Sequence, residues 1–239
     1  MELREKKQKR CTAAERAEAG DMWDHTAIAA DSKLLVSLVV GKRTHEQTTA
    51  LVRDTKKRLR PGHLPAIFTD AYDGYEAAIL DAFGRRYPAP SHSATGRFRR
   101  AVLRWPQGLA YGQVKKHYKG RGVERVEVRV VHGKAHLKHV LYLLGYKVIN
   151  TSVVERHNGT SRLRNQRKVR KTLAFSKATR YHRWMSWLAV GLYNFCHAHR
   201  SLQIKFEGQV SHQTPAMAAK LAGHIWSTRE WLLCPVLGG

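Results

Sequence analysis

The sequence has few acidic residues, few cysteines and no long apolar run. Its 239 residues include 18 Asp and Glu against 43 Lys and Arg, which gives a formal net charge of +25 and a pI near 10.5. So large an excess of one sign favours a polyanionic partner, because the positive charges repel one another in the free chain. The composition therefore indicates nucleic acid as the partner, the alternative being a basic protein whose charges are simply solvated.

The cysteines and the apolar residues exclude several other classes of protein. Cys11, Cys196 and Cys234 are widely spaced and odd in number, so the sequence supports neither a disulfide framework nor a thiolate zinc site. No apolar stretch approaches the ~20 residues of a membrane span. The N-terminal segment MELREKKQKR has no apolar core behind its charges, so we do not expect a signal peptide. We expect a cytoplasmic protein without a membrane partner.

The first half of the sequence alternates strand and helix signals. Residues 23–40 contain two β-rich runs around a polar break at 31–33, a pattern that predicts a hairpin. Thr44 and Gln47 have the spacing of a capping box, and the helix that they open should end before Pro61. The apolar residues of this helix recur on one face: Leu51, Val52, Thr55 and Leu59.

An acidic residue follows the next strand signal. The run PAIFTD ends in Asp70, and the segment YDGYEAAILDAFG then predicts a helix closed by Gly84. Functional groups of α/β domains gather at the carboxyl ends of strands, which is where Asp70 falls. Residues 85–121 are rich in Pro, Gly, Arg and Lys without a clear period, so we expect an irregular surface segment there.

The second half is predicted to contain one strand and three helices. VERVEVRVV alternates as a strand does, and a short helix should span His136 to Leu144. Ser152 and Glu155 have capping-box spacing and should open a helix. The last long helix carries an apolar stripe that we interpret as core, formed by Trp184, Trp187, Leu188, Gly191, Leu192 and Phe195.

Asp70 and Glu155 are candidate metal ligands for phosphoryl transfer. Two-metal chemistry on DNA needs carboxylates, because oxygen ligands suit Mg²⁺ and Mn²⁺. On a helix, Glu155, Asn158, Gly159 and Arg162 share one face, which could hold a metal and a phosphate together. Each carboxylate also has an ordinary alternative, Asp70 as a turn residue and Glu155 as part of a helix cap.

The segment that follows Glu155 contains no further acidic residue up to Lys177 and many cations. We predict that it contacts DNA phosphates. The predicted contacts are Arg156, Asn158, Arg162, Arg164, Arg167, Lys168, Arg170 and Lys171.

Five stretches between about Gly20 and Trp231 resemble the DDE-type transposases of bacterial insertion sequences, in particular the insertion-sequence-one-like group. They are GDMWDHTAIAADSKLLVSLVVGKRT, FTDAYDGYEAAI, NTSVVERHNGTSRLRNQRKVRKTLAFSK, YNFCHAHRSL and TPAMAAKLAGHIWSTREW, of which the third is the most specific. The resemblance implies a ribonuclease H-like fold, three acidic residues holding two Mg²⁺ or Mn²⁺ ions, and cutting and joining of element ends. It also implies that Asp70 is the second acidic residue, Glu155 the third, and Arg162 a DNA contact.

The sequence departs from this family at its first acidic residue. The family has Asp before Glu on the preceding strand, whereas here Met1 precedes Glu2. The expected explanations are a start inside a longer reading frame or a decayed copy. Asp24 and Asp31 lie nearby, but Asp31 falls in the predicted turn and neither is assigned the role.

The predicted organisation is α/β, with a ribonuclease H-like domain over residues 1–205 and a C-terminal tail over 206–239. Its mixed sheet carries flanking helices, its N-terminal strand is expected to be incomplete, and its C-terminal part is helical and basic. The predicted partner is duplex DNA, and the resemblance implies a homodimer on that DNA in the bacterial nucleoid.

Other functions stay open at the level of sequence. One alternative is a catalytically dead relic that only binds DNA, and another is a structural nucleic-acid protein, which leaves Asp70 and Glu155 without a role. The fourteen histidines suggest zinc, but His197 and His199 are two residues apart and face different sides of a helix.

Overall fold

The structure is a computed structural model that describes residues 11–13, 22–87, 101–120, 122–169, 176 and 178–234. The chain divides into two compact units, and the polypeptide of one interrupts that of the other. Residues 1–43 and 153–239 form the first unit, and residues 44–152 form the second. Met1 and Glu2 lie outside the described residues.

The first unit begins with the predicted hairpin. Strand β1 (Trp23–Ile28) pairs antiparallel with β2 (Leu35–Gly41), and Lys33 in the turn has a φ of 59°. The polar break therefore marks the reversal of the chain, as the sequence predicts. Leu35, Leu38 and Val40 are buried against Tyr193, which makes a small core.

Two helices of the first unit carry most of its candidate site. Helix α4 spans Ser152–Arg164, and a short 3₁₀ helix, Gln166–Lys168, follows it. Helix α5 spans Thr179–Gly191 and continues as a π-helix, Leu192–Cys196. The side chain of Asn194 binds the backbone of β2, since its Oδ1 accepts from the Leu35 N–H and its Nδ2 donates to the Leu35 carbonyl, both at 3.0 Å.

The predicted core stripe of α5 is wrong at its two tryptophans. Trp184 is 60% exposed and Trp187 is 38% exposed. The buried residues of α5 are instead the small residues Ser186 and Gly191. Gly191 lies under the indole of Trp231, and a Cβ atom at position 191 would be 2.0 Å from Trp231 Cζ2.

The described part of the predicted tail is folded. Its two-stranded hairpin is β8 (Ile204–Phe206) with β9 (Gln209–Ser211), and two short helices follow, α6 (Pro215–Ala218) and α7 (Thr228–Leu233). A capping box of Ser227 and Glu230 opens α7. Trp226 packs on Phe195 with ring centroids 4.8 Å apart, so this segment packs against the π-helix of its unit.

The second unit is an α/β arrangement around a mixed sheet. Its helices are α1 (His45–Lys57), α2 (Gly74–Phe83) and α3 (Lys134–Leu143). Its strands are β3 (Ala66–Asp70), β4 (Arg85–Tyr87), β5 (Val102–Arg104), β6 (Ala110–Lys119) and β7 (Gly122–His132). Among the described residues the sheet order is β3-β6-β7, with β3 parallel and β7 antiparallel to β6, and β4 pairs only with β5.

Both faces of this sheet are covered near its centre. Leu109 and Tyr111 pack with Val52, Ile79 and Phe83 of α1 and α2. Ala110 and Val114 pack on the other side with residues of α3, Leu137 and Leu141, and with Ile149. Because successive strand residues point to opposite faces, β6 contributes to both cores. Thr44 is confirmed as the N-cap of α1, where its hydroxyl accepts from the Gln47 N–H, and Gly84 is confirmed as the C-cap of α2.

The prediction of an irregular segment over residues 85–121 is wrong where the structure describes it. This segment contains β4, β5 and the whole of β6. Ala110 to Val114 are all buried, so the start of β6 lacks the alternation by which a half-exposed strand is recognised. In the described part of the chain, every helix is too short or too polar to span a lipid bilayer.

Candidate nucleic-acid interface

Asp70 ends β3, as the sequence predicts. Its side chain is exposed, and its Oδ1 accepts a hydrogen bond from the Tyr72 N–H at 3.3 Å. This is the bond by which an aspartate shapes a turn, here the turn that leads into α2. The second carboxylate oxygen of an exposed aspartate can still reach a cation, so the turn role and a ligand role are compatible.

Glu155 lies exposed in the first turn of α4, in the other unit. The helix begins at Ser152, so Ser152 is its first residue and does not hold the predicted capping position. The cap contact at this end comes from Asn150, whose Oδ1 accepts from the Ser152 N–H at 3.2 Å and from its hydroxyl at 2.5 Å. A carboxylate in the first turn is favoured by the helix dipole, which gives Glu155 a structural benefit at this site.

The predicted DNA contacts form a basic wall, which we define as Arg156, Arg162, Arg164 and Arg167. All four side chains are exposed. Three of them, Arg162, Arg164 and Arg167, line a cavity of about 770 Å³ together with Asn158. Arg170 and Lys171 lie outside the described residues. The exposed guanidinium groups of the wall are accessible to an anionic ligand in solution.

Lys168 differs from the other predicted contacts because its ammonium is committed to a carboxylate. Its Nζ lies 2.5 Å from Asp24 Oδ2 and donates to Ser161 Oγ at 2.9 Å. His182 Nε2 lies 2.9 Å from Asp24 Oδ1, and Ser186 Oγ donates to Asp24 Oδ2 at 3.2 Å. These side chains form what we call the Asp24 cluster, in which Asp24, Lys168 and His182 are each less than 16% exposed.

The ionisation of Asp24 reflects these contacts. Burial alone raises its pKa, but the hydrogen bond from His182 and the charge of Lys168 outweigh burial and lower the pKa to about 2. Asp24 is therefore a carboxylate at neutral pH and neutralises one cation of the segment that follows α4. In this arrangement it joins β1 to α5 and to the 3₁₀ helix.

His157 is the buried residue of α4. Its ring packs edge-on against Tyr193, with centroids 4.7 Å apart. Burial and the nearby charge of Lys168 lower its pKa to about 4, so the imidazole is neutral at pH 7. Among the described side chains, His157 Nδ1 and Asn165 Nδ2 are buried and make no hydrogen bond, and both residues line the cavity.

Carboxylate oxygens are ligands that suit Mg²⁺ and Mn²⁺. Asp70 and Glu155 are both exposed, so such ions can reach them from solution. Within the described ranges, no three His, Cys, Asp or Glu side chains come together as a metal site. The two histidines considered for zinc have other partners: His197 Nδ1 bonds the Leu192 carbonyl, and His199 Nδ1 bonds Ser201 Oγ.

The Asp24 cluster was not predicted from the sequence. Asp24 is separated from His182 by 158 residues and from Ser186 by 162. The only local signal is the spacing of His182 and Ser186, four residues apart on one helix face. No family model, curated protein or solved structure matches this chain.

Proposed function

We propose that this protein is a DNA transposase that cuts and joins the ends of a mobile element. The proposal rests on the position of each candidate carboxylate within its own strand or helix. Asp70 stands exposed at the carboxyl end of a strand, and Glu155 stands exposed at the start of the helix that bears the basic wall. The five stretches that resemble DDE-type transposases supply the prior expectation, including a ribonuclease H-like arrangement of the catalytic part.

The basic wall would bind the DNA backbone. Its arginines present planar guanidinium groups, which bind phosphate oxygens with paired hydrogen bonds. Asn158 lines the same cavity and can donate from its amide. Contacts of this kind position a duplex and carry little sequence information. On this proposal the partner is duplex DNA of the bacterial nucleoid.

Asp70 and Glu155 would hold Mg²⁺ or Mn²⁺ in the working enzyme. The chemistry that such ions supply is activation of water, and then of a 3′-hydroxyl, for attack on a phosphodiester. The chain's own contribution is to place anionic oxygens where the ions bind and cations where the phosphates bind. The third acidic ligand is not assigned.

A second candidate function is DNA binding without catalysis, and the Asp24 cluster favours it. Asp24 is a described carboxylate of the hairpin near the expected position of the first ligand. Its oxygens already accept from Lys168, His182 and Ser186, so it is unsuited to hold a metal ion. If no other residue supplies the third carboxylate, the chain retains the basic wall and lacks a complete site.

Two measurements on the full chain separate these candidates. Binding is followed by fluorescence anisotropy with a labelled duplex, and cutting by nicking of a plasmid that carries the DNA flanking the coding sequence, with Mg²⁺ or Mn²⁺. The transposase proposal expects binding and nicking, with nicking lost in Asp70→Asn and in Glu155→Gln while binding persists. Asp81→Asn, which changes an exposed carboxylate on α2, is the matched control and should nick normally.

Each remaining outcome has one meaning. Binding without any nicking supports the function of DNA binding alone. Nicking that survives both carboxylate substitutions contradicts the assigned ligands, and absence of binding contradicts both candidates.

A further inference from the structure

In the described part of the chain, strand β7 has one edge without a neighbouring strand. It lies at the end of the order β3-β6-β7, and among the described residues it pairs only with β6. Residues 122–130 are exposed without interruption. The outer edge of such a strand carries a row of backbone N–H and C=O groups that another strand can complete. Proteins that remain monomeric blunt edges of this kind with prolines, bulges or inward charges. Strand β7 contains no proline, and its two bulges, at Glu124 and Val131, leave residues 125–130 in regular pairing.

One face of β7 is apolar. Val126, Val128 and Val130 alternate on it and are 51%, 39% and 39% exposed. Their partners on β6 are Lys116, Val114 and Gly112. The glycine and the lysine leave Val130 and Val126 without an apolar cross-strand neighbour, so only Val128 has one. This stripe gains contact if a further apolar strand lies alongside.

The opposite face of β7 alternates in charge. Arg125, Glu127 and Arg129 follow one another there, and their present ion pairs are exposed. Glu127 lies 3.1 Å from His117 and 3.7 Å from Arg125, and Arg129 lies 3.5 Å from Glu76. Exposed pairs of this length contribute little, so they can exchange partners at low cost.

These features make β7 complementary to itself in one antiparallel register. When Val128 lies opposite Val128 of a second copy, Val126 lies opposite Val130, which gives three valine pairs. In the same register Glu127 lies opposite Arg129, and this pair occurs twice because of the two-fold axis. Apolar pairs and opposite charges across strands both stabilise a sheet.

The neighbouring antiparallel registers give less favourable cross-strand pairs. A two-fold axis at residue 127 places Glu127 opposite itself and Arg125 opposite Arg129, so like charges meet. An axis at Val126 keeps two opposite-charge pairs, but it leaves a single valine pair and places Glu124 opposite Val128. Like charges directly opposite one another destabilise a sheet, so the register centred on Val128 is favoured.

We propose that two copies of this chain associate through β7, antiparallel and centred on Val128, to form a continuous six-stranded sheet. This interface requires no nucleic acid and no metal. It is therefore independent of the proposed transposase activity, and its failure leaves that proposal untouched.

A charge-swap cycle tests the interface. Sedimentation equilibrium of the full chain without DNA, over a wide range of concentrations, should show a monomer–dimer equilibrium. Glu127→Arg and Arg129→Glu should each weaken the dimer at least about tenfold, because each substitution brings like charges together twice per dimer. The double variant restores opposite charges and should return close to the wild-type affinity. A chain that stays monomeric, or a double variant no better than the single ones, overturns the proposal.

Cysteine cross-linking tests the register, in a background with Cys196→Ser and Cys234→Ser. Val128→Cys should form a disulfide-linked dimer under mild oxidation, since residues opposite one another in antiparallel strands lie within the Cα separation that a disulfide spans. Val126→Cys alone and Val130→Cys alone should not, whereas a mixture of the two should. Circular dichroism confirms that each variant is folded. Cross-linking of Val126→Cys to itself with none at position 128 contradicts the register.

Discussion

Asp24 should make stability fall at acid pH. Its pKa is about 2 in the folded chain against an ordinary value of 3.8, so its contribution is fully present above pH 4 and is lost as the pH falls towards 2. The shift corresponds to about 2 kcal/mol of unfolding free energy. In Asp24→Asn this pH dependence should vanish, together with a loss of about 3 kcal/mol at pH 7 because Lys168 keeps a nearly buried charge without its partner.

The measurement is urea unfolding of wild type and Asp24→Asn at several pH values, with Asp31→Asn as the exposed control. The gap between wild type and Asp24→Asn should narrow below pH 4. A constant gap would show that Asp24 titrates alike in both states.

His157 should make the unfolding free energy depend on pH over a higher pH range than Asp24 does. Its pKa falls from 6.5 to about 4 on folding, so its contribution is present above pH 6.5 and is lost as the pH falls through 4. The expected loss is about 3 kcal/mol. His157→Phe keeps an aromatic ring against Tyr193 and removes the titration, so its stability should decline less between pH 7 and 4. His139→Phe, at an exposed position on α3, is the control and should decline as wild type does.

The two helical glycines of the first unit should respond oppositely to alanine. A Cβ atom at Gly191 would meet the Trp231 indole at 2.0 Å, whereas one at Gly159 would meet nothing within 4 Å. Gly191→Ala should therefore destabilise by about 1–3 kcal/mol through overpacking. Gly159→Ala should stabilise by up to about 1 kcal/mol, because alanine is the better helix former. The unfolding free energy of both variants is measured by denaturant unfolding, followed by circular dichroism. Changes of the same sign in the two variants would contradict this explanation.

At the scale of elements, we expect the exposed cations of α4 to contribute most to the binding of duplex DNA. Arg162→Ala should weaken duplex binding, leave the fold intact and reduce the salt slope of log affinity by about one, since one phosphate contact is lost. Lys138→Ala, at an exposed position on α3, is a matched loss of charge outside the basic wall and should leave the slope unchanged. An Arg162→Ala variant that unfolds would instead identify a structural ion pair.

Elements with local signals were predictable, and those that depend on distant partners were not. Thr44 with Gln47, Gly84 after α2, and the alternating valines of β7 each carry their signal within a few residues. Strand β6 carries no such local signal, because its first half is buried on both faces and its second half is cationic. Trp184 and Trp187 were misassigned because helical spacing identifies an apolar face without showing what packs on it. The carboxylates of the candidate site came from local pattern, but the Asp24 cluster depends on a fold that no local pattern contains.

At the scale of the whole molecule, the net charge of +25 should dominate the affinity for DNA. Four exposed cations of the basic wall imply a slope of log affinity against log salt of about −3.6 or steeper, at about 0.9 for each phosphate. Binding should show little sequence preference, because phosphate contacts carry none. Titration of several unrelated duplexes across a salt series tests both statements. Salt-independent binding, or strong preference for one short sequence, would contradict them.

The interrupted connectivity of the first unit has a consequence for synthesis on the ribosome. Its hairpin, residues 23–41, is made before the whole of residues 44–152, and Tyr193, which covers Leu35, Leu38 and Val40, is made later still. At roughly 5–20 residues per second, the 109 residues from 44 to 152 alone impose a delay of about 5–20 s. During that interval the nascent hairpin exposes an apolar face while the intervening unit can already fold. The order of translation therefore leaves this apolar face uncovered until Tyr193 has been made.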